Sequence, residues 1–249
     1  ATDDQGRMLP GALEAAIRPL SGPKIIIAQA GQINTGAYDP FAEIVAIGKT
    51  RDAWVHVDGA FGLWARAVPE LGHLTTGMEG CDSWVTDGHK WLQAPYDCGF
   101  AIVRDRDALL GAMSQWSSYL PSIAQGDRVP SNYVPELSRR ARGVPVWALI
   151  KTFGRAGIVE LVGRHCGYAR RMAERLGNEP GVRVINEMAI NQLIVNFGTG
   201  DAEARKAATQ AVIERVVASG TCYVAGAAWR GDWVMRISIS SAATSEADM

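Results

Sequence analysis

An α/β protein followed by a smaller α+β unit is the fold class that this sequence predicts, on three observations. Short apolar runs alternate with stretches of helical spacing through the first half. Polar residues follow closely on those runs at Asn34, Asp58 and Lys90, the position beyond the carboxyl ends of strands where open α/β sheets bind ligands. The last part changes rhythm to two strands, a helix and two more strands, about 75 residues in all, which suits a small domain.

In chain order, Leu13 to Leu20 has helical spacing and stops at Ser21-Gly22-Pro23. Lys24 to Ala30 is a continuous apolar run, expected to be a strand buried on both faces. Gly31 to Pro40 is rich in Gly, Asn, Thr and Asp and reads as a loop. Asp39-Pro40 then opens a helix at Phe41 to Thr50, with proline at its first turn. Strands are expected at Trp54 to Asp58, Ser83 to Thr86 and Gly99 to Arg104, and a loop at Pro121 to Pro135. Val144 to Leu161 reads as helical, and Arg164 to Leu176 continues in the same style. Beyond these, strands are expected at Val182 to Ile185 and Gln192 to Phe197, a helix at Ala202 to Ala218, and strands at Thr221 to Ala225 and Trp233 to Ile239. The two parts divide as 1–170 and 171–249, with no internal repeat or low-complexity tract.

Composition narrows the function classes. The 249 residues suffice for one large domain or two smaller ones. With 47% hydrophobic and 20% charged residues, the chain is globular rather than disordered. A formal net charge of -1 makes nucleic acid an unexpected partner. Apolar runs such as Lys24 to Ala28 are too short to span a bilayer, and the opening ATDDQGRM lacks a signal peptide, so no membrane partner is expected. That opening does not start with methionine, and a strand with polar punctuation follows within about thirty residues, so the chain is expected to be a piece of a longer polypeptide. Cys81, Cys98, Cys166 and Cys222 are scattered, without CxxC or Cys/His spacing. They read as free thiols of a reducing cytoplasm and as no metal site.

Two local patterns carry chemistry. In Asp82-Ser83-Trp84-Val85-Thr86-Asp87-Gly88-His89-Lys90-Trp91, a short strand ends in small and polar residues and leads to a lysine beside a histidine and a tryptophan. Partial burial and neighbouring cations are the means by which a lysine becomes reactive. By itself the pattern also fits a surface lysine lying over apolar side chains. In His56-Val57-Asp58-Gly59-Ala60-Phe61-Gly62, an aspartate ends a buried strand and small residues follow. A pyridoxal cofactor needs a carboxylate to keep its ring nitrogen protonated and a small residue against its ring face. Asp58 and Ala60 meet those needs, and Asp58 equally suits a helix N-cap. His56 would share a strand face with Asp58, as a partner of that carboxylate or as a satisfied core histidine.

The runs AGQINTGAYDPF, WVHVDGAFGLWA, DSWVTDGHKWLQAPYDCGFAIVRD, SRRARGVPVWALIKTFGRAG and WVMRISISSAATSEADM, in this order, resemble the group II pyridoxal 5'-phosphate (PLP)-dependent amino-acid decarboxylases of fold type I, over nearly the whole chain. The resemblance implies the C-terminal half of the family's large domain, with a mixed, mostly parallel sheet, plus its small C-terminal domain. It implies PLP as cofactor, Lys90 as the Schiff-base lysine, Asp58 as the carboxylate on the pyridine nitrogen, Ala60 against the ring and His89 at the phosphate. Asn34 would lie in the loop facing the cofactor's hydroxyl, or act only as a turn residue. Arg236 would meet the substrate carboxylate by a two-pronged hydrogen bond, or pair with an acidic neighbour. Arg139 and Arg140 read as structural, and Thr35 and Asp39 as shaping their loop.

Two departures stand out. The family's chain extends further on the N-terminal side, where its phosphate-binding loop and ring-stacking residue lie. Ile33 stands where better-known members often carry a hydroxyl residue, which implies different substrate contacts. The expected activity is decarboxylation of an amino acid, by a homodimer with its sites at the subunit interface. A retro-aldol carbon-carbon lyase, an aminotransferase, or a truncated non-catalytic partner subunit are the alternatives on the same fold. The sequence does not single out which amino acid is the substrate.

Overall fold

The computed structural model describes residues 1–114 and 128–249. Its first sheet contains β1 (Lys24–Gln29), β2 (Ala53–Asp58), β3 (Ser83–Asp87) and β4 (Gly99–Val103), hydrogen-bonded in that order. β1, β2 and β3 are parallel neighbours and β4 runs antiparallel to β3. This is the mixed, mostly parallel sheet expected. The β1-to-β2 crossover is α2 (Phe41–Thr50), with Pro40 at its N-cap. Phe41, Ile44 and Val45 of α2 are buried with Ile26, Ala28, Val55 and Val57 of the sheet in one core.

The other face of the sheet departs from expectation. The apolar run of β1 predicts burial on both sides, yet Ile25 and Ile27 are 70% and 58% exposed. Side chains alternate along a strand, and only the face of Ile26 and Ala28 meets a helix layer among the described residues. The parallel register aligns Ile27 with His56, Gln29 with Asp58, and Asp58 with Val85. Asp58 therefore sits on the uncovered face, at its carboxyl end.

From β2 the chain passes through short 3-10 turns at Gly62–Ala67, Pro69–Thr75 and Met78–Gly80 before entering β3. Gly62 fixes the first of them. A β-carbon there would lie 2.4 Å from the Ala30 carbonyl oxygen and 2.7 Å from the Tyr38 hydroxyl, while that hydroxyl donates to the Gly62 carbonyl at 2.6 Å. Backbone atoms cannot yield as a side-chain tip can. Gly62→Ala is therefore expected to cost about 2 kcal/mol or more, read as a lowered urea midpoint; an unchanged midpoint would contradict the contact.

α1 spans Pro10–Ile17, earlier than the predicted Leu13 to Leu20. Pro10 presets the first turn, and the Leu20 N–H turns back to the Ile17 carbonyl at 3.1 Å. After β4, α3 (Arg106–Met113) is capped by Asp105, which accepts from the Asp107 and Ala108 N–H groups. Of the loop expected at Pro121 to Pro135, residues 121–127 lie outside the described residues, and Pro130–Tyr133 is a 3-10 turn.

The two helical stretches predicted after residue 143 join as α4 (Gly143–Gly177), broken at Gly154, whose φ of 60° and ψ of -176° are non-helical. Beyond the break α4 serves both cores. Ile158, Val162 and Cys166 pack with the first sheet, and Ala169 and Ala173 with the second. The second sheet has the order β5 (Val182–Val184), β6 (Gln192–Phe197), β8 (Asp232–Ser238), β7 (Ala225–Trp229), antiparallel throughout, with α5 (Ala202–Ala218) packed on it. β7 thus lies beyond the strand expected at Thr221 to Ala225. The tight turn of Arg230 and Gly231, both with positive φ, pairs Trp229 with Asp232 and so draws the alanine-rich stretch into the ladder, against its weak strand propensity. No helix among the described residues is long and apolar enough to cross a membrane.

Candidate active site

The carboxyl ends of β2 and β3 and the loop after β3 converge on one chain of hydrogen bonds. Asp58 ends β2, and its Oδ1 accepts the Ala60 N–H at 3.1 Å. The Ala60 carbonyl accepts the Asp87 N–H at 2.9 Å. Asp87 ends β3, and its Oδ2 meets the Lys90 ammonium at 2.8 Å. Parallel pairing of β2 with β3 is what brings the two aspartates to the same edge. Lys90 is a surface lysine with a side chain 39% exposed, and it borders a cavity of about 450 Å³ with Phe61, His89, Gln93, Tyr96 and Ser240.

His89 is held from two sides. Its Nδ1 lies 2.7 Å from the Cys98 carbonyl oxygen and 3.1 Å from the Cys98 backbone nitrogen. Its Nε2 stands 3.7 Å from Asp87 Oδ2, and its ring lies 4.2 Å from the Tyr96 ring, centroid to centroid. The Tyr96-Asp97 segment is anchored in turn. Arg140 donates to the Tyr96 carbonyl at 2.9 Å, and Arg142 forms a two-pronged pair with Asp97 at 2.8 and 3.0 Å, which holds the Asp97 carboxyl down at about 2.

Behind Lys90, the fully buried Trp91 stacks on Phe61 with ring centroids 4.8 Å apart. Its indole N–H donates to His165 Nδ1 at 3.0 Å, and an indole nitrogen only donates. Nδ1 is therefore bare, and the proton sits on Nε2, 2.9 Å from the Ser241 carbonyl. Burial pushes the His165 pKa below its usual 6.5. The unfolded chain thus takes up this proton first as pH falls. Stability from this group is complete above about 6.5 and declines below it. His165→Gln, which keeps an acceptor and a donor without titrating, is expected to flatten the fall of the urea midpoint between neutral pH and pH 5; an equal fall in both proteins would sink that assignment.

Other residues singled out from sequence take varied places. Asn34 is half-buried in the loop after β1, its N–H held by Gln32 Oε1 at 2.6 Å. Arg236, on β8, reaches that loop and donates to the Ile33 carbonyl at 3.3 Å. The acidic partner considered for it is not found, since no ion pair forms at Arg236 among the described residues. His56 Nδ1 lies 2.8 Å from the Ser83 hydroxyl, and its partner is that serine rather than Asp58. Asp39 is an anchor, accepting the Met8 and Gln29 N–H groups at 2.6 and 2.7 Å, and Thr35 donates to the Gln5 carbonyl at 2.6 Å. Arg139 pairs with Glu136 at 3.5 Å. Sequence reasoning misses Asp87, Gln93, His165 and Ser240 as residues of this site. Asp87 is legible by its spacing three before Lys90; His165 and Ser240 reach the site only through long-range packing.

Comparison with known proteins bears on this arrangement. The pyridoxal-dependent decarboxylase conserved domain matches residues 1–197. An aromatic-L-amino-acid decarboxylase of Drosophila lebanonensis is 27% identical over 253 residues, covering 99% of this chain and 61% of that protein. A tryptophan decarboxylase 2 of Oryza sativa subsp. japonica is 25% identical, covering 90% of this chain and 46% of that one. Among solved structures, an Oryza sativa TDC crystallised with PLP and tryptamine superposes with a TM-score of 0.92 at 24% identity, over 99% of this chain and 53% of that one. A Rhodiola rosea 4-hydroxyphenylacetaldehyde synthase gives 0.87 at 25% identity, over 99% and 52%. The fold is theirs, and the chain spans between 46% and 61% of the length of these curated relatives.

Proposed function

Since the chain belongs to the pyridoxal-dependent decarboxylase family, we propose that it carries the lysine-bearing half of an active site that decarboxylates an amino acid, with Lys90 as the covalent anchor of pyridoxal 5'-phosphate. The observation that carries this reading is the Asp58–Ala60–Asp87–Lys90 chain at the carboxyl edge of the sheet. The residues present fit the cofactor chemically. Asp58 lies on the uncovered sheet face, and the Ala60 N–H is the hydrogen bond it takes among the described residues, so a carboxylate oxygen remains for a protonated ring nitrogen. Ala60 is small enough to lie against a flat ring.

When bound, the cofactor supplies an electron sink for the pair left behind as the substrate's carboxylate departs as carbon dioxide. The protein's part is positional and electrostatic. Asp58 keeps a negative charge at the ring nitrogen and so favours its protonated form. Asp87 holds the Lys90 ammonium at the cavity edge; to bond to a carbonyl carbon, Nζ must leave that pair and lose a proton. His89 is assigned to the cofactor's phosphate, Asn34 to its hydroxyl side and Arg236 to the substrate's carboxylate. The Ile33 contact of Arg236 supports the last two by tying that arginine to the Asn34 loop.

The substrate is proposed at the level of an amino acid. Relatives carry names from aromatic-L-amino-acid, tryptophan and tyrosine decarboxylases to L-2,4-diaminobutyrate decarboxylase. A homodimer with shared sites is proposed on family grounds, as is the division into 1–170 and 171–249. A reducing cytoplasm is proposed on the four unpaired thiols. Carbon dioxide trapped from the full-length protein with a panel of amino acids tests the activity. Release from at least one is expected; release from none, with aldehyde or keto-acid product instead, would replace the decarboxylase with a lyase or an aminotransferase.

A further inference from the structure

We propose that Gln93 is a positioning residue: its amide fastens the C-terminal segment 240–244 to the Lys90 loop, making that segment a wall of the Lys90 cavity on the side where substrate binds. The segment lies outside every helix and strand, so its backbone groups need partners from elsewhere. Gln93 supplies two of them. Its Nε2 donates to the Ser240 carbonyl at 2.5 Å, and its Oε1 accepts the Ala242 N–H at 3.1 Å. The same Nε2 lies 3.0 Å from the Lys90 carbonyl and 3.3 Å from that of Trp91. One amide thus joins the turn that carries Lys90 to a strand end some 150 residues later in the chain.

Two further residues keep the segment in place. His165 donates to the Ser241 carbonyl at 2.9 Å and receives the Trp91 indole N–H on its other nitrogen. Arg164 donates to the Thr244 carbonyl at 2.6 Å and to that of Ala242 at 3.4 Å. The Lys90 loop therefore grips the segment twice, directly through Gln93 and by way of Trp91 and His165. Ser240 and Ser241 border the same cavity as Lys90. Gln93 also holds φ at 67°, a left-handed conformation costly for a residue with a β-carbon. That cost and the four amide contacts point the same way: the backbone is bent so that this side chain can reach the segment.

The inference rests on Lys90 being the cofactor's anchor, and the test separates the two ideas. Gln93→Gly removes the whole side chain, the amide with it, and tolerates the left-handed backbone. Gln93→Glu keeps an acceptor for the Ala242 N–H but, as a carboxylate, lacks the donors and faces three carbonyls. In the full-length protein, amide exchange at Ala242 is expected to rise about tenfold in Gln93→Gly and less in Gln93→Glu, which keeps that acceptor while losing the hold on Ser240. The visible band of the lysine-bound cofactor is expected to persist, and KM for the amino acid to rise several-fold more than kcat falls. Unchanged Ala242 exchange in Gln93→Gly would overturn the clamp. Faster exchange with both kinetic constants unchanged would overturn the positioning role. A wild-type protein without the cofactor band would overturn the Lys90 reading, and the positioning role with it, while the exchange result would still show whether the clamp exists.

Discussion

Lys90→Ala is expected to abolish the visible absorption of the cofactor-bound protein and to lower the rate of carbon dioxide release by about 10³-fold or more, ~4 kcal/mol of barrier. Folding is expected to change little. The substitution removes an ion pair to Asp87 between partly exposed side chains, and such pairs contribute about 0–1 kcal/mol. Lys90→Arg sharpens the result. It can keep the Asp87 pair and the positive charge, yet its guanidinium does not serve as the primary amine that bonds to an aldehyde. The two variants are therefore expected to behave alike spectroscopically and to differ only in the Asp87 pairing. Activity retained in Lys90→Arg would mean that the charge, not the amine, is what matters.

Asp58→Asn is expected to lower kcat by about 10²–10³-fold at saturating cofactor. The substitution is nearly isosteric and keeps an oxygen for the Ala60 N–H, so the turn after β2 should survive. What disappears is the negative charge that favours a protonated ring nitrogen, and with it the electron sink. Weaker cofactor retention is expected alongside the slower rate, because a charged contact in a partly buried site becomes a neutral one. A variant as active as the parent, with the cofactor bound, would remove Asp58 from the chemistry and return it to the role of a turn residue.

The strands that carry these residues are readable because their signals are local. The apolar run before Asp58 and the short run before Asp87 have strand period and length, and both strands form where expected, within one or two residues. Burial is less readable. The isoleucines of β1 look alike in sequence, but alternation puts Ile26 in the core and leaves Ile25 and Ile27 exposed. A continuous apolar run cannot say which of its faces a neighbour will cover. β7 departs for a different reason: Thr221 to Val224 have the stronger strand propensity, yet the Arg230-Gly231 turn sets the register from the other end.

At the site, sequence exposes the residues that chemistry names and misses those that hold them. Lys90, Asp58 and His89 stand in compact motifs. Asp87 belongs to the same motif as Lys90, and its role as the ammonium's partner depends on the turn geometry between residues 87 and 90. His165 lies on α4, 74 residues from the Trp91 it serves, and no spacing announces such a pair. Arg236 is legible as an arginine in an apolar strand, but its carbonyl partner at Ile33 follows only from how the second sheet meets the loop after β1.

The central claim is that one particular lysine bonds to the cofactor. The chain has five, Lys24, Lys49, Lys90, Lys151 and Lys206. Borohydride reduction of the full-length protein loaded with pyridoxal 5'-phosphate, followed by mass spectrometry of its peptides, identifies the modified one. The cofactor's mass is expected on the peptide containing Lys90 and to be absent after Lys90→Ala. A label on any other lysine, or a label that survives that substitution, would contradict the assignment.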